Sequence, residues 1–242
     1  MSATFRLDRL LANMGYGSRR EVQQLVKDQA VILDGVPVAA ADMRLPVTRD
    51  LPQRMTVDGA PLDPPPGMAL MLHKPLGVTC SHKEAGALVY SLLPPRWRAR
   101  EPAISTVGRL DKETSGLLLM TDDGALLHRI ISPRHHVAKR YLATLARPLA
   151  GDEADRFASG ELLLEGEDRP LLPAVLEPLS PTSARLTVTE GRYHQVRRMF
   201  AAVGNHVEAL HRERIGGLAL PDGLPPGRFR LMTDEDIAAV FA

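Results

Sequence analysis

Leu7, Leu10, Leu11 and Met14 recur at the i, i+3, i+4, i+7 spacing of one helical face. Gly15 and Gly17 close that helix. Ser18 opens a second, with Glu21 three residues later as in a capping box. Val22, Leu25 and Val26 are its apolar stripe. The pattern then shortens. VILDGVPV sets two apolar runs around Asp34-Gly35, and MTVDGAPL repeats this around Asp58-Gly59. An Asp-Gly pair between apolar runs predicts a tight hairpin. Two helices followed by short strands predict a small α+β domain over residues 1–63.

DPPPG at 63–67 is a stiff polar break, and three consecutive prolines favour an extended spacer. Residues 64–67 are read as a linker and 68–242 as a second domain. There MALML, AISTV, GLLLM, RYLATL, PAVLEPL and ARLTVTE read as strands. Val196, Met199, Phe200 and Val203 share one face of a helix over 194–203, which Gly204 ends. Thr233 and Asp236 begin a last short helix. Strands outnumber helices and few look like βαβ crossovers. The expected class is α+β, with a mixed, mainly antiparallel sheet carrying packed helices.

Composition narrows the class. At 242 residues the chain suits one large domain or two unequal ones. It is 44% apolar and 24% charged, which excludes a wholly disordered chain or a fibre. No apolar run approaches the ~18 residues of a membrane-crossing helix, and the start lacks a secretory pattern. The single cysteine, Cys80, excludes an internal disulfide and a cysteine-based zinc site. A cytoplasmic location is expected. Lys plus Arg total 30 and Asp plus Glu 29, so the net charge of +1 gives no sign of nucleic-acid binding. Locally the balance differs: between His128 and Arg147 lie five basic residues and no acid, interrupted by Tyr141. Basic residues with an interleaved aromatic suit phosphate contact plus base stacking, although a tyrosine beginning a strand is more often core.

GRLDKETSGLLLMTDDG (108–124) puts Asp111 in a polar turn between apolar strands. Such a turn can hold a carboxylate in a cleft, although an aspartate there more often caps the turn. For Asp122 and Asp123 the turn or cap reading wins. EGRYHQVRRMF (190–200) carries Arg197 and Arg198 on a helix whose other face is apolar; they suit carboxylates or phosphates, or form a solvated basic face. The histidines show no metal-ligand spacing, and no phosphate loop or serine-hydrolase elbow is present. Asp111 and Glu113 are too close in sequence to face a sugar from opposite sides, against a glycoside hydrolase. In the first domain Arg6, Arg9, Arg19, Arg20 and Lys27 surround the helices, but bases and acids there number eight each.

These segments together resemble the RsuA/RluB/RluE/RluF family of ribosomal RNA pseudouridine synthases. GRLDKETSGLLLMTDDG is similar to the family's catalytic signature. KRYL and EGRYHQVRRMFAAVGNHVEALHRERIGGL match its later motifs in order. RLDRLLANMGYGSRREVQQLVKDQAVILDGVPV resembles the small RNA-binding domain, also found in a ribosomal protein, that precedes the catalytic domain. SPRHH and PAVLE point to the small-subunit branch.

The resemblance implies isomerisation of uridine to pseudouridine in ribosomal RNA, without a cofactor or metal. It implies 16S RNA and uridine 516 as target, with a large-subunit target or a non-enzymatic assembly factor as alternatives. Asp111 matches the essential aspartate, acting as nucleophile or as base. Arg197 matches the basic residue paired with it, and Tyr141 the tyrosine that packs on uracil. Arg109 matches the arginine that helps hold the RNA open, and Leu210 an apolar wall. Where the family has Lys-Thr-Tyr this chain has Lys139-Arg140-Tyr141, and the extra charge is expected to meet solvent or phosphate. Arg6, Arg9, Ser18, Arg19, Arg20 and Lys27 are candidates for RNA contact. The expected partner is ribosomal RNA or an assembly intermediate, with no membrane, and the chain is expected to be a monomer. Extruding a base costs a few kcal/mol, and aromatic stacking returns ~1–3 kcal/mol.

Overall fold

Leu7, Leu10, Leu11 and Met14 are all buried, and they hold helix α1 (Leu7–Asn13) against α2 (Arg19–Lys27). The computed structural model describes residues 4–81 and 86–242. The chain divides into two compact units. One contains Met1–Ala69 with Leu93–Ser105 and Thr121–Gly124; the other contains Leu70–Leu92, Thr106–Met120 and Ala125–Ala242.

In the first unit Ser18 and Glu21 form the expected capping box. Strand β1 (Thr4–Arg6) pairs antiparallel with β4 (Arg44–Pro46). Strands β2 (Val31–Leu33), β3 (Val36–Pro37), β5 (Met55–Val57) and β6 (Ala60–Pro61) form a sheet ordered β3-β2-β5-β6. It consists of two Asp-Gly hairpins joined edge to edge. Asp34, Gly35, Asp58 and Gly59 all have positive φ, the geometry that a two-residue hairpin turn demands. A one-turn helix α3 (Leu51–Arg54) precedes β5.

The proline-rich break is fastened rather than free. The Pro64 carbonyl accepts from Arg100 at 2.9 Å, and Gly67 N–H donates to Asp122 at 2.8 Å. Arg100 and Asp122 pair at 2.9 Å with both side chains buried. Asp122 thus does more than cap a turn: it is a buried anchor.

The second unit is built on a nine-stranded sheet. Its strands are β7 (Ala69–Lys74), β8 (Ser105–Thr106), β9 (Thr114–Thr121), β10 (Lys139–Leu145), β11 (Val175–Ser180), β12 (Ser183–Val188), β13 (Val207–Ile215), β14 (Leu218–Ala219) and β15 (Phe229–Leu231). The main order is β11-β12-β10-β13-β9-β7-β15, with β8 on β9 and β14 on β13. Strand β10 is antiparallel to β12 and β13, whereas β9 runs parallel to β13. The sheet is therefore mixed, as expected. Gly116 makes the β9–β13 approach possible: its φ is +110°, and a Cβ there would lie 2.3 Å from the Arg212 carbonyl oxygen.

Helices cover both faces. Phe157 of α5 (Glu153–Ala158) and Val196, Met199 and Phe200 of α6 (Gln195–Ala202) pack on Ala143, Leu186 and Leu210. Ile130 of α4 (Gly124–Ile131) and Val240, just after α7 (Asp234–Ala239), pack with Met71, Leu117 and Leu119. Helices α4 and α5 are not expected from the sequence pattern.

Candidate active site

The β8–β9 connection and the N-terminus of α6 meet at Asp111. Thr114 N–H donates to the Asp111 carbonyl at 3.0 Å, which closes the turn before β9. The Asp111 side chain is 36% exposed, and its Oδ1 lies 3.3 Å from His194 Nε2. His194 precedes α6 in a left-handed conformation, φ 49° and ψ 32°. Its ring stacks on Tyr193 at 3.9 Å between centroids and 15° between planes.

Arg197 does not make the expected ion pair with Asp111. Its Nη1 donates to the Val207 carbonyl at 2.8 Å and its Nη2 to the Glu113 carbonyl at 2.7 Å. It staples the Asp111 turn to the start of β13. Among the described residues, the basic side chain recorded within 4 Å of the Asp111 carboxylate is that of His194. The α6 arginines are not a solvated face either. Arg198 binds Glu167 and the Glu165 and Tyr193 carbonyls, while Arg192, just before the helix, binds Glu167, Glu190 and the Arg169 and Pro170 carbonyls. This network fixes the backbone that carries His194.

Tyr141 faces Arg212 across the β10–β13 pair. Arg212 is buried; its Nε donates to the Leu117 carbonyl at 2.7 Å and its Nη1 to the Tyr141 hydroxyl at 3.4 Å. Its Nη2 has no partner among the described residues. Leu210, two residues earlier on β13, is buried and aligned with Thr114, the first residue of β9. Lys74 is fully buried, and its Nζ donates to the carbonyls of Pro75, Lys112 and Thr114 at 3.0, 3.4 and 2.8 Å. Burial pushes the Lys74 ammonium below its ordinary value, and the acidic groups of Cys80, Asp111 and Glu113 oppose that. Lys139 is also pushed down, by burial and by Arg212. Lys74, His194 and Arg212 are not among the sequence candidates. A lysine in an apolar strand is the available signal for Lys74.

Turn and sheet thus bring Asp111, Arg197, Leu210 and Tyr141 to one region, with the exposed Arg109 on the same turn as Asp111. The chemistry available is a partly open, ionisable carboxylate on a turn whose carbonyls are bound by the buried Lys74, with an aromatic and an apolar side chain on the strands that follow. A family model described as RNA pseudouridylate synthase matches residues 69–202, and one described as S4 domain matches residues 5–48. The chain is 46% identical to the "Ribosomal small subunit pseudouridine synthase A" of Escherichia coli (strain K12), over 97% of this chain and 99% of that one. It is 43% identical to the protein of that name from Yersinia pestis, over 98% of each. The chain belongs to the RNA pseudouridylate synthase family. A solved structure described as a pseudouridylate synthase superposes with a TM-score of 0.68 at 36% identity, covering 98% of this chain and 99% of that one.

In this synthase Arg140 does not meet solvent or phosphate freely: its Nε pairs with Glu213 at 3.1 Å, and Arg185 shares that carboxylate. A cavity of about 230 Å³, lined by Glu113, Ser115, Leu142 and His211 among others, lies beside the Asp111 turn. Ser115 Oγ and His211 Nδ1 are 2.9 Å apart. Leu142 and His211 alternate with Tyr141 and Arg212 along their strands, so they point to the opposite sheet face. Among the described residues no group of three His, Cys, Asp or Glu could hold a metal ion.

The S4 unit divides its basic residues. Arg6 and Arg19 both bind the buried Asp8 carboxylate, at 2.9 Å each, and Ser18 is used as the N-cap of α2. Arg9, Arg20 and Lys27 are exposed and have no ion pair among the described residues. Arg20 and Lys27 are seven residues apart on α2, nearly two full turns, and so share one face.

Proposed function

We propose that this protein isomerises one uridine of small-subunit ribosomal RNA to pseudouridine, with uridine 516 of 16S RNA as the target and Asp111 as the essential carboxylate. The observation that carries this reading is the Asp111 carboxylate itself, partly open on a turn braced by Arg197 and Lys74. The near full-length likeness to small-subunit synthases supports the substrate. The uracil is extruded from the RNA and packs on Tyr141, Leu210 walls the pocket, and Arg109 holds the RNA around the gap. Asp111 acts as nucleophile or takes a ribose proton while the glycosidic nitrogen–carbon bond breaks. The base turns and rejoins through carbon 5, whose proton is released. Arg197 holds the turn rather than the carboxylate. The exposed Arg9, Arg20 and Lys27 contact phosphates, and the protein works in the cytoplasm as a monomer without a cofactor.

Tritium release from small-subunit RNA carrying 5-tritiated uridine measures the reaction. Asp111→Asn is expected to release none while binding the RNA as tightly as the parent; full release would overturn the role of Asp111. Mapping pseudouridine in both ribosomal RNAs of a deletion strain identifies the target, and a loss confined to the large subunit would overturn the substrate.

A further inference from the structure

We propose that His194 is the positioning residue for Asp111, orienting its carboxylate through the close approach of Nε2 to Oδ1, with Tyr193 as the brace for the imidazole. This rests on the reading of Asp111 as the essential carboxylate. The contact is 3.3 Å and joins the N-terminus of α6 to the catalytic turn. The approach is attractive when Nε2 carries a proton, as it does in one neutral tautomer and in the imidazolium.

Three observations make the contact a built one. First, Arg197, the cation expected to hold Asp111, has both Nη groups committed to the Val207 and Glu113 carbonyls. Holding the turn and holding the carboxylate are therefore divided between two side chains of one helix terminus. Second, His194 has positive φ, which an L-residue with a bulky side chain rarely adopts and which persists where the surroundings impose it. The imposing structure is visible on both sides. Arg192 is fixed by two glutamates and two carbonyls, and its N–H donates to Gln195 Oε1 at 2.9 Å. Third, Tyr193 lies flat against the imidazole although it is 75% exposed. A stacked neighbour removes ring rotations that would carry Nε2 away from Asp111.

The arrangement fits the chemistry. A carboxylate that attacks or takes a proton must present one oxygen to the sugar. A single partner at Oδ1 biases the orientation of the group and leaves Oδ2 for the reaction. An arginine fork would engage both oxygens.

The test uses the full-length protein, tritiated small-subunit RNA and separate measurement of kcat, KM and RNA affinity. His194→Gly keeps the left-handed backbone free of strain and removes the ring; it is expected to lower kcat about 100-fold, the scale of a misplaced reacting group, with KM and RNA affinity unchanged. His194→Gln restores an N–H donor and is expected to recover most of that loss. Tyr193→Leu should lower kcat less than His194→Gly, and Tyr193→Phe, which keeps the ring, should match the parent. A parental kcat in His194→Gly, or a rise in KM with kcat intact, would overturn the proposal, as would equal loss in the Gly and Gln variants. Asp111→Asn run alongside separates the two claims: activity there removes the reading of Asp111. An inactive Asp111→Asn beside a fully active His194→Gly removes only the role of His194.

Discussion

Asp8 in the first unit and Asp111 in the second are both aspartates with arginines nearby, and their surroundings make them opposite things. Asp8 is completely buried and accepts three bonds, two from Arg6 and one from Arg19. The Arg6 bonds, then Arg19, hold its carboxyl well below the usual carboxylate range against the opposing effect of burial. Little capacity is left on either oxygen, and the group pins β1, α1 and α2 together. Asp111 is one-third open and has one close side-chain contact, while the arginine beside it binds carbonyls instead. The difference is one of access: Asp8 is spent on structure, whereas Asp111 stays open to a ligand. Its neighbours fix the backbone beneath it and leave the carboxylate itself lightly held.

The sharpest way to break this comparison is to neutralise each aspartate in turn. Asp111→Asn is expected to lower isomerisation by about 10⁴-fold, the scale of losing an indispensable catalytic group, while unfolding in urea shifts by less than about 0.5 kcal/mol. Next in size, Arg197→Met frees the Glu113 and Val207 carbonyls and should lower kcat about 100-fold by loosening the turn. A parental kcat there would show that the staple is dispensable. Asp8→Asn should do the reverse of Asp111→Asn, costing about 1–3 kcal/mol of stability with kcat unchanged in the folded fraction.

A pH experiment sharpens the same contrast. Because the folded-state carboxyl of Asp8 is depressed, its stabilisation is fully present above the unfolded value of about 3.9. It is lost as pH falls toward the folded value. Unfolding at pH 7 and pH 3 should show the parent losing more stability than Asp8→Asn, and equal losses would refute the Asp8 anchor. The smallest effect concerns RNA. Arg20→Glu with Lys27→Glu should weaken rRNA binding and lower the salt slope by about one unit for each phosphate no longer neutralised. Charge reversal is cleaner than truncating residues 1–63, because Leu93–Ser105 and Thr121–Gly124 belong to the same compact unit.

Features written in neighbouring residues are legible from their spacing alone. The Ser18–Glu21 and Thr233–Asp236 capping boxes, both Asp-Gly hairpins and the stripe of α1 all form as that spacing dictates. Helices α4 and α5 escape such reading, since a short apolar run such as ALLHRII fits a strand or a helix equally. Within the site, the motifs mark Asp111, Tyr141 and Arg197 but not their partners. Lys74 reads as an ordinary charged strand end until three carbonyls are seen around its ammonium. Arg140 reads as a phosphate contact until Glu213 is found across the sheet.

By itself, then, the sequence determined the α+β class, most of the local elements, the family and the turn that carries Asp111. These depend on spacing within a few residues or on long ordered motifs. Only the tertiary structure decided which charges are spent. Ion pairs such as Arg100–Asp122 and the contact of His194 with Asp111 join residues far apart in the chain. Residue type sets only a side chain's formal charge; whether it is neutralised, buried or left available depends on what the fold brings within hydrogen-bonding reach.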